Sequence, residues 1–275
     1  MKRLFLLLGV ALAALTAEAQ NLCNVQVLAH RAGRYEIEEN TMAGFRSACD
    51  NGVRAFETDV RLSKDGELVV MHDASLKRIA DIDIKIEEST RKELKKVTTK
   101  QGNSVLFVDE LVEYFKDRGD INYVEWEMKT RKYDETVLEE YCRKLYKMVM
   151  EGKPERSLYL FSSFDERVIK QMKSLYPDAE CMLISGEPLS EALVARASAL
   201  GVRRIACKID KTSRHDVKMA HEKGFVINLW PGGSVEDFML ALSLGADIAC
   251  TDRPVEVLRF VEKSLPWVTP LKDLR

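Results

Sequence analysis

Short apolar runs and helix-patterned stretches alternate along this chain from residue 25 to residue 263, and no other feature narrows its fold as much. Runs at 25–29, 54–60, 121–128, 158–161, 179–184, 203–207, 225–229 and 247–250 read as strands. Helical spacing of apolar residues marks 108–118, 133–150, 165–175, 189–200, 213–223, 235–244 and 254–263. Another helix follows the first strand. Met42, Phe45 and Cys49 share one face there, Asn40 or Thr41 stands at its start, and Asn51-Gly52 ends it. Strands that alternate with helices belong to a parallel α/β sheet. Eight such units predict a TIM (β/α)8 barrel. The alternative, an open doubly wound sheet, would usually carry a glycine-rich dinucleotide loop after the first strand, and His30-Arg31 stands there instead.

Two segments depart from the alternation. Lys64-Asp65-Gly66 is a turn signal, and the run after it, 67–71, reads as an extra short strand. Residues 74–108 are charged and irregular, with one short helix expected at 90–97. They are too few to hold a domain core and read as a rim excursion after the second barrel strand. At the other extreme, Lys2 and Arg3 precede an apolar run at 4–15 and then Ala17-Glu18-Ala19, the form of a signal peptide with a small-residue cleavage site. The run is shorter than the ~20 residues a membrane span needs. The expectation is a leader at 1–19 and one barrel domain at 20–275, exported to the periplasm or secreted without stable membrane insertion. The tail from Trp267 reads as a surface strap.

Composition excludes some functions. With 42 basic and 44 acidic residues the chain lacks the basic excess of a nucleic-acid binder. An oxidising compartment permits disulfides. Yet Cys181, Cys207 and Cys250 lie in or beside strand runs, where thiols fill core volume, and the spacing of the six cysteines is not a zinc pattern. A Cys23–Cys49 bridge is the one pairing considered.

Chemistry-bearing residues gather at strand ends. Two of only four histidines, His30 and His72, each follow an apolar run. Strand alternation places Glu57 and Asp59 on one side, and Glu127 and Lys129 on one side. Glu125 shares the parity of Glu127, so alternation does not choose between them. Each feature alone has an ordinary reading: a structural histidine, a solvated strand edge, a core tryptophan at Trp230. Ser163-Phe164 and Thr251-Asp252 read most simply as turn and cap residues. His215 and His221 read as surface or packing residues.

Taken together and in order, these motifs resemble the glycerophosphodiester phosphodiesterase family. The resemblance is carried by His30-Arg31, Glu39-Asn40-Thr41, Glu57-x-Asp59, Lys64-Asp65-Gly66, His72-Asp73, Glu127-x-Lys129, Ser163-Phe164, Trp230 and Thr251-Asp252-Arg253-Pro254, and it spans about residues 25–260. Three positions depart from the pattern: Ala32 where glycine is usual, Glu38 in place of proline, and Pro231-Gly232-Gly233 after Trp230.

The resemblance implies hydrolysis of glycerophosphodiesters to sn-glycerol 3-phosphate and an alcohol. It picks Glu127 over Glu125, and it implies a divalent cation on Glu57, Asp59 and Glu127. Three carboxylates without a thiolate favour Mg²⁺ or Ca²⁺. His30 and His72 are implied as the acid–base pair, in an order left open. Arg31 and Lys129 suit the phosphate. Asn40 would lie in the loop behind the phosphate within reach of it, and Trp230 would pack on the glycerol carbons. Two rivals stand beside this reading. A phospholipase C or D acting on lipid head groups would need an apolar collar, for which Ile79, Ile82, Ile84 and Ile86 are candidates. A non-enzymatic barrel binding protein would be expected to lack one of the two histidines or a metal carboxylate.

Overall fold

The computed structural model describes residues 23–130 and 132–270; the expected leader at 1–19 lies outside the described residues. After a two-residue strand β1 (Cys23–Asn24) come β2 (Gln26–His30), β3 (Ala55–Leu62), β4 (Leu68–Val70), β5 (Tyr123–Met128), β6 (Leu158–Ser163), β7 (Cys181–Pro188), β8 (Arg204–Lys208), β9 (Val226–Gly232), β10 (Ile248–Thr251) and β11 (Val268–Thr269). All of these except β1, β4 and β11 pair in parallel within one sheet, β1 and β11 forming a separate two-stranded one, and β2 meets β3 to close the barrel. The expected barrel is therefore the observed one. The extra run at 67–71 becomes β4, antiparallel to the end of β3.

The strands read as near-continuous apolar runs because both of their faces are buried. Leu28, Ala55, Tyr123, Leu160, Met182, Ala206, Ile248 and Cys250 fill the barrel interior. Their chain neighbours, such as Val27, Phe56, Val124, Trp126, Phe161 and Leu183, face the surrounding helices. Those helices are α1 (Met42–Asp50), α4 (Val108–Arg118), α5 (Glu135–Glu151), α6 (Glu166–Leu175), α7 (Glu191–Ala199), α8 (Arg214–Glu222), α9 (Val235–Leu244) and α10 (Pro254–Ser264), with the short α2 (Lys77–Ala80) and α3 (Arg91–Leu94) in the excursion. Phe45, Phe56, Phe115 and Trp126 form a continuous aromatic contact between α1, α4 and the barrel, with ring centroids 5.4 to 6.5 Å apart. Each ring buried this way contributes about 1.5–3 kcal/mol relative to exposure.

Helix starts follow local chemistry. Thr41, rather than Asn40, caps α1 by accepting from the Gly44 N–H. Asp134, Asp165, Ser190, Ser213 and Ser234 cap α5 to α9 in the same way. Pro254 opens α10 in the first turn, where its missing N–H costs nothing.

The excursion builds a small core of its own. Leu76, Ile79, Ile86, Leu94 and Val97 pack with Val69, Met71 and Phe107 from its flanks. The expected helix at 90–97 is shorter, α3, with Thr90 and Glu93 forming a reciprocal capping box. The tail after Trp267 pairs in parallel with β1, and Cys23 N–H donates to the Trp267 carbonyl. All six cysteines are free. Cys23 is exposed and Cys49 buried, so the bridge considered between them is not formed. Burial pushes the Cys142, Cys181 and Cys207 thiols up to about 12, as inert core groups.

Candidate active site

The C-terminal ends of β2, β3 and β5 bring the predicted residues together. Inward parity along β3 puts Glu57 and Asp59 in the barrel mouth, and the register of β3 on β5 sets Asp59 beside Glu127. One carboxylate oxygen from each of Glu57, Asp59 and Glu127 lies within 4.8 Å of the others, and all three side chains are buried. Glu125 has the same parity but a different environment. It accepts from the Tyr123 hydroxyl at 2.8 Å and from Asn228 Nδ2 at 3.0 Å. Burial pushes its carboxyl up to about 8, so it is mostly protonated at neutral pH.

The three clustered carboxylates differ electrostatically. Burial, then repulsion from Asp59 and Glu127, holds the Glu57 carboxyl well above its ordinary range. Burial also raises Glu127 to about 7, although Lys129 opposes the rise. For Asp59 burial is overcome by Lys129 and Arg31, and the carboxyl is held far below its ordinary range. Lys129 Nζ sits 2.8 Å from Asp59 Oδ1 and 2.5 Å from Glu127 Oε1. Glu57 Oε1 is buried with no hydrogen-bond partner. An orphaned carboxylate oxygen among mutually repelling, oxygen-only donors is the environment a hard divalent cation relieves. These residues fit such an ion.

Arg31 reaches the mouth through an unusual turn. Arg31, Ala32 and Gly33 all have positive φ, at 52°, 67° and 93°. A Cβ on Gly33 would lie 2.9 Å from Pro254 Cδ, so glycine is required there. Ala32, the departure from the family pattern, adopts a left-handed conformation that favours glycine. The turn folds Arg31 back so that its backbone N–H donates to Glu57 Oε2, its NH1 donates to Glu39 Oε1 at 3.2 Å, and its Nε lies 3.4 Å from Asp59 Oδ2. Asn40 also has positive φ, 53°. Its Nδ2 donates to Asp59 Oδ2 at 2.8 Å, and its Oδ1 accepts from the Thr58 hydroxyl. Both ends of its amide are thus engaged, and Asn40 orients a carboxylate from behind.

Each histidine has an acidic partner. His30 Nδ1 is 2.5 Å from Asp252 Oδ1, and His72 Nδ1 is 2.7 Å from Asp73 Oδ1. Burial lowers the pKa of both imidazoles, against those carboxylates, and the charge of Asp59 acts on both rings. The His72 carbonyl is clamped by Arg61 Nε and NH2 at 3.0 and 2.7 Å. Asp252 corrects its turn-and-cap reading. Only Thr251 serves the turn, accepting from the Arg253 N–H, while Asp252 holds His30 and also pairs with Arg34 at 2.8 Å. A usable signal was present: Asp252 continues the inward parity of Ile248 and Cys250.

Beside His72 a cavity of about 350 Å³ is lined by Arg61, Glu87, Glu127, Lys129, Tyr133 and Phe164 among others. Phe164 meets Trp230 edge-on at 5.9 Å, so the predicted tryptophan lies against this mouth rather than in the outer core. His215 and His221 lie away from the site on α8, and His221 pairs with Asp247 at 2.8 Å. Among the described residues no helix is long and apolar enough to cross a membrane.

Comparison with known proteins agrees with this geometry. Residues 30–256 match the model of the glycerophosphoryl diester phosphodiesterase family. A glycerophosphodiester phosphodiesterase of Caldanaerobacter subterraneus is 27% identical over 251 residues, covering 86% of this chain and 98% of its own. Among solved structures, a putative glycerophosphoryl diester phosphodiesterase from Silicibacter pomeroyi superposes with a TM-score of 0.81 at 22% identity, over 87% of this chain and 94% of that one. An Oleispira antarctica phosphodiesterase in complex with the product sn-glycerol-3-phosphate gives 0.79 at 23% identity, over 86% and 97%.

Proposed function

The chain belongs to the glycerophosphoryl diester phosphodiesterase family, a phosphoric diester hydrolase of glycerophosphodiesters, and we propose that it releases sn-glycerol 3-phosphate and an alcohol using a bound Mg²⁺ or Ca²⁺ and the pair His30 and His72. The observation that carries the proposal is the convergence of Glu57, Asp59 and Glu127 in one buried cluster whose neighbours are two imidazoles and two cationic side chains. Glu57, Asp59 and Glu127 would hold the cation. Once bound, it supplies Lewis-acid polarisation of a phosphoryl oxygen.

The chain's own residues do the rest. The Arg31 guanidinium suits two phosphate oxygens, and Lys129 adds a second positive charge. One imidazole, kept neutral by burial, accepts the proton of the attacking hydroxyl, either of water directly or of the glycerol 2-hydroxyl, in which case a cyclic phosphate forms as the alcohol leaves and water then opens it to glycerol 3-phosphate. The other delivers a proton to the departing alkoxide, its pKa raised by the adjacent phosphate anion. Trp230 and Phe164 offer apolar surface to the glycerol carbons.

The substrate is a water-soluble diester rather than an intact lipid in this reading. Ile79 and Ile86 are buried in the excursion's own core and Ile84 packs against it, so only Ile82 is left exposed to serve an acyl collar. The non-enzymatic rival is disfavoured because both histidines and all three carboxylates are present and converge. Export of the mature chain rests on Lys2, Arg3, the apolar run at 4–15 and Ala17-Glu18-Ala19, and a mature N-terminus at Gln20 by Edman sequencing would support it. The deciding experiment is a head-group panel of glycerophosphocholine, glycerophosphoethanolamine, glycerophosphoglycerol and lysophospholipids. Glycerol 3-phosphate from the diesters, and lysophosphatidic acid or phosphorylated head group from the lysophospholipids, are quantified with added Mg²⁺ or Ca²⁺. No release from any glycerophosphodiester would sink the proposal; release confined to lysophospholipids would shift it to the lipid-acting rival.

A further inference from the structure

Arg78, in the excursion helix α2, reaches two carboxylates that serve different parts of the site. Its NH1 and NH2 donate to Glu39 Oε2 and Oε1 at 2.8 and 2.7 Å, and its Nε donates to Asp73 Oδ2 at 2.6 Å. Glu39 in turn holds Arg31, and Asp73 holds His72. We propose that Arg78 is a positioning residue that fixes the phosphate-binding Arg31 and the His72 imidazole relative to each other, with the excursion as its mount. This rests on the phosphodiesterase reading above.

Three features support a positioning role over an incidental ion pair. A surface pair between flexible side chains is usually worth little. Here, however, one planar group makes a bidentate contact on one edge and a third bond from Nε, a geometry that a lysine ammonium does not reproduce. Glu39 is buried, and its two oxygens take their bonds from arginine donors, Oε2 from Arg78 and Oε1 from Arg78 and Arg31. The mount is rigid, since Leu76 and Ile79 on either side of Arg78 are buried in the excursion's core with Phe107. Without Arg78, Asp73 loses the bond to its second oxygen, and Glu39 keeps only its contact with Arg31. Both catalytic side chains then gain freedom to rotate, at a cost to the geometry of the reacting groups rather than to substrate capture.

The test compares wild type, Arg78→Ala and Arg78→Lys on glycerophosphocholine and glycerophosphoethanolamine, with thermal midpoints recorded for each. Expected is a fall in kcat of about 10–100-fold in Arg78→Ala, the range seen when groups that orient site residues are removed, while KM moves less than about threefold. Arg78→Lys recovers little of the loss. Because the Arg78 side chain is 47% exposed, millimolar guanidinium chloride should restore part of the Arg78→Ala rate, and equal KCl should not. Wild-type kcat in Arg78→Ala, a loss expressed only in KM, or full recovery in Arg78→Lys would overturn the proposal. So would failure of both variants to fold, which would make Arg78 a structural residue. An inactive wild type would strike the phosphodiesterase reading itself, whereas an active wild type with an equally active Arg78→Ala strikes only this inference.

Discussion

Asp252, at the end of the last barrel strand, lies 2.5 Å from Nδ1 of His30 at the end of the first. The contact joins residues 222 positions apart across the seam where β10 meets β2. It fixes which ring nitrogen faces the barrel mouth and orients the imidazole. Asp252→Asn should therefore leave the fold intact and lower kcat at least about tenfold, because the imidazole loses its orienting anion. Steady-state kinetics on glycerophosphocholine check this, with circular dichroism as the control for folding.

His72 is expected to carry a full acid–base role. His72→Ala should lose about 10²–10⁴ in kcat, the usual worth of a positioned proton-transfer group. Its melting point should still rise on adding Mg²⁺ or Ca²⁺, since no metal carboxylate is removed. Full activity of this variant with glycerophosphocholine and glycerophosphoethanolamine would remove His72 from the mechanism.

Chelation followed by dialysis should abolish turnover, and readdition of Mg²⁺ or Ca²⁺ should restore it. Glu57→Gln and Glu127→Gln should lose both the activity and the metal-induced rise in melting temperature. An unchanged rate after chelation counts against the metal assignment.

The carboxylate cluster also sets a pH dependence. Burial raises the Glu127 carboxyl from 4.5 to about 7 in the folded, metal-free protein. The folded state then binds more protons than the unfolded one between those values. Stability from this group is fully present below about 4.5 and is lost as pH rises through about 7. A cation that takes up the ionised carboxylate offsets this loss. The rise in melting temperature on adding Ca²⁺ should be larger at pH 8 than at pH 5, as measured by differential scanning fluorimetry.

Trp126 lies fully buried at one end of the aromatic contact through Phe115. Trp126→Ala should cost about 3–5 kcal/mol, the range for deleting a large buried aromatic. Urea denaturation reads the loss as a lower midpoint at similar slope.

Much of the fold was legible because it is written in short-range periodicity. α4 and α9 span the expected 108–118 and 235–244. Other elements moved by a few residues where caps and pairing decide the ends, as when Asp134 rather than Tyr133 set the start of α5. The short helix expected at 90–97 shrank to α3, beyond which Lys96 and Val97 donate to carbonyls three residues back instead of four. At the site, local pattern placed His30, Glu57, Asp59, Glu127 and His72 at strand ends but read Asp252 as a cap. The parity of Asp252 was visible in the sequence but its role was not, because that role depends on His30, brought from another strand.

Residue order by itself determined the eight strand–helix units and which residues of a strand share a side, since pleating and helical spacing act over a few neighbours. The three-dimensional packing alone tied Glu125 to Tyr123 and Asn228, separating it from Glu127, which strand alternation leaves equivalent to it. It alone also set His30 against Asp252, and one arginine across Glu39 and Asp73. The reason is that barrel closure and strand register set distances between residues far apart in the chain, and hydrogen bonds and charge interactions are decided by those distances.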